Sequence, residues 1–319
     1  MILLSIILPL LAGRVLAEDG YQGWLRYAPV NFNRSQPVRV PSAIVALNSS
    51  TTSPVYTAGQ ELQKVFKGTL VKDINITATG CPHSSAVIVG TVDAFTAACG
   101  TLAGVDVQGL EEDGFIIHPS AEIVVILGLN ERGALYGAFE YALQVARNNA
   151  SSEPYISNPQ APIRWTNEWD NMDGSIERGY GGASNFFKGG YVVENVTRAA
   201  DYARLLASVG INGVIINNVN ANATLLSDRN IEALGRIADA MRPYGVQIGI
   251  PLNFASPNAS LGTYDPQDPK VDAWWANITS EIYKKVPDMA GYLVKANSEG
   301  QPGPLTYNRT LADGANMFA

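Results

Sequence analysis

The sequence contains only two histidines and two cysteines, and these small numbers exclude several kinds of active site. His83 and His118 both lie in the first half of the chain, and we expect both to be structural, with His118 in a turn before Pro119. Without a His or Cys in the second half, that half has no local zinc site and no Ser-His-Asp triad. A G-x-S-x-G turn and a phosphate-binding loop are missing as well. We therefore expect no metal and no cofactor.

Long apolar runs are also missing, except at the start of the chain. Residues 1–12 are almost entirely apolar, and the small-residue end Val15-Leu16-Ala17 follows them, which is typical of a secretory signal peptide. The run is shorter than the roughly 20 residues of a membrane helix. Residues 1–17 therefore predict an exported protein with no membrane partner. The formal net charge of −7 argues against nucleic acid as a partner.

Two further features agree with a secreted, extracellular protein. Nine of the 24 asparagines begin an N-x-[ST] glycosylation triplet, and each triplet that is used must lie on the surface. They are Asn33, Asn48, Asn75, Asn149, Asn195, Asn222, Asn258, Asn277 and Asn308. In an oxidising compartment Cys81 and Cys99 are expected to form a disulfide, with two buried free thiols as the alternative.

Apolar patterning predicts a small α/β domain over residues 18–147. Its clearest element is a helix from Glu131 to Ala146, where apolar residues recur at helical spacing. Strand-like runs of β-branched and other apolar residues occur at 43–47, 86–89 and 123–127. Residues 148–162, rich in Asn, Ser and Pro, predict a linker.

Residues 163–319 predict a second α/β unit with a regular βαβαβαβ pattern. Strand-like runs at 163–167, 213–217, 246–252 and 290–295 alternate with amphipathic helices at 196–209, 229–241 and 269–286. Asp268 is the expected N-cap of the last of these helices, ahead of Pro269. Since no G-x-G-x-x-G opens the first helix, the pattern favours a (β/α)8 barrel over a doubly wound dinucleotide fold. Four strand-helix units are half of such a barrel, so we expect the chain to be a fragment.

The loops that follow the predicted barrel strands combine aromatic, carboxylate, amide and cationic side chains. Such loops form the active-site face of a barrel. Aromatic faces stack on sugar rings, and a carboxylic acid can protonate a glycosidic oxygen. Arg178 and Lys295 suit a sugar that carries its own carboxylate. A sugar site is one interpretation, and polar loops without a catalytic role are the other.

Several motifs resemble the α-glucuronidases of glycoside hydrolase family 67. They are WDNMDGSIERGY at 169–180, INNVN at 216–220 and KANSEGQPGP at 295–304, together with residues 18–27 and 130–139. The resemblance implies a small hexosaminidase-like α/β domain followed by a (β/α)8 barrel. It also implies removal of 4-O-methylglucuronic acid, α-1,2-linked to the terminal xylose of glucuronoxylan-derived oligosaccharides, with inversion of configuration.

The same resemblance implies roles for individual residues. Glu299 matches the general acid, so we expect its pKa to be raised by burial or by a neighbouring negative charge. Lys295 would face the uronic carboxylate. The other matched positions are substrate-binding: Glu177 and Arg178 as sugar contacts, Trp169 as a pocket aromatic, and Val219 on the aglycone side.

One departure from the family concerns the catalytic base. An inverting enzyme needs a second carboxylate to activate water, and in the family it comes from later strands. We therefore expect residues 1–319 alone to be inactive. Two alternatives remain open: a hexosaminidase-like hydrolase, whose Asp-Glu pair would match Ser298-Glu299, and a carbohydrate-binding protein that has lost catalysis.

Overall fold

The computed structural model describes residues 20, 23–29, 39–100 and 105–319. The predicted signal peptide and the sequon at Asn33 lie outside these residues. The strands are β1 (Ala43–Ala46), β2 (Ile76–Thr77), β3 (Ala86–Thr91), β4 (Phe115–Pro119), β5 (Ile123–Gly128), β6 (Tyr155–Ser157), β7 (Trp165–Asn167), β8 (Phe187–Lys188), β9 (Tyr191–Val192), β10 (Gly213–Ile215), β11 (Gln247–Asn253) and β12 (Gly291–Lys295). The α-helices are α1 (Pro54–Leu70), α2 (Val92–Cys99), α3 (Glu131–Ala146), α4 (Thr197–Ser208), α5 (Asp228–Met241), α6 (Asn258–Leu261), α7 (Pro269–Lys285) and α8 (Leu311–Phe318).

The first sheet has the strand order β2-β1-β3-β5-β4-β6. Its strands are parallel except for β4, which runs antiparallel to both of its neighbours. Helix α3 has the predicted bounds, and the side chain of Asn130 caps it by accepting a hydrogen bond from the Gly133 N–H at 2.9 Å. Apolar clusters pack against this sheet: one includes Phe95 and Ile88, and the other includes Phe66 and Leu135 and continues into the second sheet.

Two parts of the first sheet differ from expectation. The turn predicted for His118 is wrong, because His118 lies inside β4 and pairs with Val125 of β5. The turn comes later, where the N–H of Ser120 donates to the oxygen of Ile123. In addition, β6 lies within the predicted linker 148–162 and pairs with β4, so part of that segment belongs to the sheet.

The Cys81–Cys99 disulfide joins the end of α2 to the segment that precedes β3. The two Cα atoms are 5.3 Å apart, which lies within the usual range for bridged cysteines. The bridge therefore fixes a short helix that presents only one buried apolar residue, Phe95.

The second sheet contains four parallel strands in the order β12-β11-β10-β7. Helices α4, α5 and α7 lie between successive strands, as the βαβαβαβ pattern predicted. The side chain of Asp268 accepts a hydrogen bond from the Lys270 N–H and caps α7, also as predicted. The result is a curled parallel sheet like half of a barrel, while the closed eight-stranded barrel stays a prediction.

The longest helices of the described residues are α1 and α7, with 17 residues each. Among the described helices, none combines the length and the apolar composition that a membrane span requires.

Candidate active site

Loops that follow β10 and β12 meet at the side chain of Lys295. Lys295 is the last residue of β12, where the register places it beside Asn253 of β11. Its Nζ donates one hydrogen bond to Oδ1 of Asn220, at 2.9 Å, and another to the carboxylate of Glu299. The carboxyl ends of these parallel strands thus bring together one cation and the proposed general acid.

Glu299 is in an environment that differs from the predicted one. Its side chain is 74% exposed, whereas that of Lys295 is 12% exposed. The hydrogen bond from Lys295 lowers the pKa of Glu299, and the charges of Lys295 and Arg178 lower it further. The expected increase of the Glu299 pKa is therefore wrong for this structure, because two cations outweigh the small effect of desolvation.

The loop after β7 contributes the other predicted sugar contacts. Nε of Arg178 lies 3.4 Å from Oε1 of Glu177, and the Arg178 side chain is 83% exposed. The Glu177 N–H donates to the backbone oxygen of Trp169 at 2.8 Å, so this loop folds back on itself. Trp169 is partly exposed, at 37%. The structure therefore places Glu177 and Arg178 together, with Arg178 close enough to Glu299 to affect its pKa.

Two asparagines, to which no individual role was assigned from the sequence, hold the backbone of Glu177. Nδ2 of Asn171 donates to the Glu177 oxygen at 2.6 Å and to Oγ of Ser175 at 2.9 Å. Nδ2 of Asn218, in the loop after β10, donates to Oδ1 of Asn171 at 2.8 Å. Glu177 has a φ of 55°, which is unfavourable for a residue with a side chain, so these bonds hold it there. The sequence signal for this arrangement was the presence of amide side chains, Asn171 and Asn218, in the loops that follow β7 and β10.

Asp170 is a fully buried carboxylate that anchors the same loop. Its Oδ2 accepts hydrogen bonds from the Ser184 hydroxyl and, at 2.7 Å, from the Asn185 N–H. Its backbone oxygen accepts the Asn218 N–H at 2.8 Å. Burial raises the pKa of Asp170, although the hydrogen bonds from Ser184 and Asn185 oppose this effect. No individual role was predicted for Asp170 from the sequence.

Val219 is half-buried between Asn218 and Asn220. Its neighbours hold the two parts of the site just described, since Asn218 binds Asn171 and Asn220 binds Lys295. The loop therefore places Val219 beside the proposed sugar site, and its role on the aglycone side stays a prediction.

Possible metal ligands and glycosylation sites were located among the described residues. There, His, Cys, Asp and Glu side chains form no group of three that could hold a metal ion. Asn48 is half-buried, whereas the other sequon asparagines are exposed: Asn75, Asn149, Asn195, Asn222, Asn258, Asn277 and Asn308.

A cavity of about 830 Å³ lies away from this site, between the two sheets. Its lining includes Trp24, Tyr136 and Tyr155. Asp113 and Arg164, which form an ion pair between the two units, also line it. None of the proposed sugar contacts borders this cavity. The cavity is therefore separate from the site.

Solved structures with a similar fold include large glycoside hydrolases. A family GH115 4-O-methyl-α-glucuronidase with specificity for decorated arabinogalactans matches with a TM-score of 0.59 at 18% identity, over 87% of this chain and 38% of that chain. A GH138 enzyme targeting pectin rhamnogalacturonan II matches with a TM-score of 0.53 at 14% identity, over 79% of this chain and 30% of the other. At these identities the likeness shows the fold alone.

Sequence relatives are much closer. The chain is 57% identical over 309 residues to the probable alpha-glucuronidase A of Aspergillus fumigatus, which covers 96% of this chain and 36% of that protein. It is 56% identical over 319 residues to the alpha-glucuronidase A of Aspergillus tubingensis, which covers 99% of this chain and 38% of that protein. The chain thus spans little more than a third of the length of these curated relatives.

Two family models together match nearly all of the described chain. The glycosyl hydrolase family 67 N-terminus model matches residues 23–141, and the family 67 middle domain model matches residues 144–319. The middle domain model alone covers more than half of the chain and contains every residue of the site described above. The chain therefore belongs to glycoside hydrolase family 67.

Proposed function

We propose that the full protein is a secreted α-glucuronidase. It removes glucuronic acid or its 4-O-methyl ether, α-1,2-linked to the terminal xylose of xylo-oligosaccharides, with inversion of configuration. Similarity to relatives named alpha-glucuronidase A over nearly the whole chain supports this activity. The observation that carries the proposal is the joining of Lys295 and Glu299 at the end of β12, because this pair supplies a cation for a sugar carboxylate beside a carboxyl group for acid catalysis.

Each side chain has a role in this proposal. Glu299 donates a proton to the glycosidic oxygen, and Lys295 with Arg178 binds the uronic carboxylate. Glu177 accepts hydrogen bonds from sugar hydroxyls. An aromatic pocket wall comes from Trp169, and Val219 shapes the side that receives the xylose.

The second carboxylate of an inverting mechanism belongs to later strands in this proposal. Such a group must lie roughly 6.5–9.5 Å from the acid, with room for the attacking water between them. Residues 1–319 by themselves then bind the uronic sugar weakly and do not hydrolyse its bond. The eight-stranded barrel, to which this chain gives the first four strand-helix units, is the fold that brings the base opposite Glu299.

Export of the protein is a separate part of the proposal. The leader pattern of residues 1–17, the exposure of most described sequons and the Cys81–Cys99 disulfide support it. Expression in a eukaryotic host tests it: we expect a glycosylated product in the medium, whose N-terminus begins near Glu18. An intact leader on a product retained in the cell would contradict secretion.

The activity is tested with aldouronic oligosaccharides and the full-length protein. We expect release of glucuronic acid, first as the β-anomer in proton NMR because an α-linkage is inverted. Glu299→Gln is expected to lower kcat about 100- to 10,000-fold, whereas Glu122→Gln, at an exposed position in the turn before β5, leaves it unchanged. The chain of residues 1–319 is expected to show no turnover.

The other outcomes distinguish the alternatives. Binding of glucuronic acid by the full-length protein without any release would favour a carbohydrate-binding protein. Release of N-acetylhexosamine from hexosaminides would favour the hexosaminidase-like interpretation. Turnover by residues 1–319 alone would contradict the assignment of the base to later strands.

A further inference from the structure

Lys295 and Glu299 form an ion pair that conflicts with the proposed role of Glu299. A general acid must carry its proton when the substrate is bound. Here the hydrogen bond and the charge of Lys295 lower the pKa of Glu299, and the charge of Arg178 acts in the same direction. In the chain of residues 1–319, the ion pair with Lys295 thus favours the ionised form of Glu299, which has no proton to donate.

The two partners of this ion pair differ in their freedom to move. Lys295 is 12% exposed, lies in a strand, and donates a second hydrogen bond to Asn220 at 2.9 Å. Glu299 is 74% exposed and lies in a turn with φ values of 49° at Glu299 and 77° at Gly300. The ammonium group is therefore fixed, and the carboxylate is the partner that can leave.

We infer that the carboxylate of the bound uronic acid replaces Glu299 as the partner of Lys295, and that this exchange converts Glu299 into the general acid. The inference rests on the proposed function and adds the event that protonates Glu299, which is the binding of the substrate. The substrate brings an ionised carboxylate, which takes the hydrogen bond from Lys295. Glu299 loses its nearest cation, gains a negative neighbour and takes one proton from the solvent. That proton later passes to the glycosidic oxygen.

The charged groups around Glu299 agree with such an exchange. Within the described part of the chain, Lys295 on β12 and Arg178 in the loop after β7 are the charged groups that act on Glu299. Arg178 is paired with Glu177 and is 83% exposed, so solvent screens much of its effect. Lys295 is thus the group whose change of partner alters the protonation of Glu299 most.

This exchange would make the sugar carboxylate a condition for catalysis and not only for binding. A neutral sugar of the same shape leaves the Lys295–Glu299 pair intact, and Glu299 stays ionised. Discrimination against neutral glycosides then occurs in kcat as well as in KM, because the acid form is missing from the bound complex.

Proton uptake on binding tests the inference directly. Glucuronic acid is titrated into the full-length protein by calorimetry in buffers that differ in ionisation enthalpy. The pH is set at about 5, between the ordinary glutamate pKa of about 4.3 and the value of about 6 reached by a buried catalytic glutamic acid. We expect uptake that approaches about one proton per bound sugar. Glu299→Gln is expected to bind glucuronic acid without proton uptake, while Glu122→Gln keeps the uptake of the unaltered protein.

Two results would overturn the exchange: binding of glucuronic acid with no proton uptake, or equal uptake by the unaltered protein and by Glu299→Gln. The pH profiles of turnover give a second test. The apparent pKa of the limb on the alkaline side is expected to be higher for kcat, which reports the bound complex, than for kcat/KM, which reports the free protein. In Lys295→Met this difference is expected to disappear, and its persistence would also contradict the exchange.

Failure of the inference can be told apart from failure of the proposed function. If the full-length protein releases glucuronic acid, Glu299→Gln abolishes release, and no proton is taken up on binding, then the function stands and the exchange is wrong. If no substrate is hydrolysed at all, the proposed function is wrong.

Discussion

Among the described sequon asparagines, Asn48 is set apart by a hydrogen bond that its Nδ2 donates to another side chain. Its Nδ2, the atom that would carry a glycan, donates to Oε1 of Glu131 at 2.7 Å, and its Oδ1 accepts the Ser50 N–H at 2.9 Å. Glu131 in turn accepts a hydrogen bond from Ser53, the N-cap of α1. A glycan at this position must therefore compete with contacts between two helices of the first sheet.

We expect Asn48 to show the lowest glycan occupancy among the described sequons. Glycopeptide mass spectrometry of the secreted protein measures the occupancy of each site. Asn75 and Asn149 serve as internal references, because both are exposed. Full occupancy of Asn48 with low occupancy of these two would contradict the expected order.

The loop after β7 is the element that positions Glu177. Asn171 binds the Glu177 backbone and is itself held by Asn218 from the next strand-end loop. Asp170, in the same loop, is buried and bound to Ser184. We therefore regard Asn171 as a positioning residue, which acts on the substrate through Glu177.

A double-mutant cycle in the full-length protein tests this role. Asn171→Ala is expected to raise KM for the oligosaccharide about five-fold or more, which corresponds to about 1 kcal/mol. In a Glu177→Ala background the same substitution is expected to have almost no further effect, since the group that it positions has been removed. Asn316→Ala, at an exposed site on α8, is the control and should leave KM unchanged. Additive effects of the two substitutions would show that Asn171 does not act through Glu177.

Buried ion pairs join the two sheets into one molecule. Glu61 of α1 is fully buried, and both of its oxygens accept hydrogen bonds from Arg204 of α4 at 2.9 Å. Asp113 accepts hydrogen bonds from Arg132 at 2.7 Å and from Arg164, ahead of β7, at 2.8 Å. Removing one member of such a pair leaves an uncompensated buried charge.

The ionisation of Asp113 is expected to make the stability of the fold depend on pH. Burial alone would raise its pKa, but hydrogen bonds from Arg164, Arg132 and Asn130 and the charge of Arg132 hold it below its ordinary value. Because the folded pKa is lower than the unfolded one, the ionised group stabilises the fold above the unfolded pKa of about 3.9. This contribution is lost as the pH falls through the folded pKa.

Asp113→Asn is therefore expected to destabilise the full-length protein by about 3–5 kcal/mol at neutral pH. The difference in Tm from the unaltered protein should shrink as the pH falls below about 4. Scanning calorimetry over this pH range measures both effects. Asp73→Asn is the matched control, because the Lys67–Asp73 pair is exposed and such pairs contribute about 0–1 kcal/mol. A Tm difference that does not change with pH would show that Asp113 acts only through packing.

Local patterns in the sequence determined the elements of this fold. The bounds of α3 follow from the helical spacing of its apolar residues, and those of α7 follow from Asp268 and Pro269. These signals are complete within a few neighbouring residues, so no tertiary information is needed to read them. The motifs of the loops after β7, β10 and β12 likewise indicated the family from sequence alone.

Only the tertiary structure decided the partners of the site residues and their protonation. The contact of Lys295 with Asn220 spans 75 positions of the chain, and that of Asn218 with Asn171 spans 47. The strand pattern predicted that these loops lie at one face of the sheet, but it did not show which of their side chains contact each other. The turn predicted for His118 was wrong and β6 was not predicted for the same reason, since pairing with another strand of the first sheet fixed both. The pKa of Glu299 depends on which charge stands beside it in space, and the fold places Lys295 there.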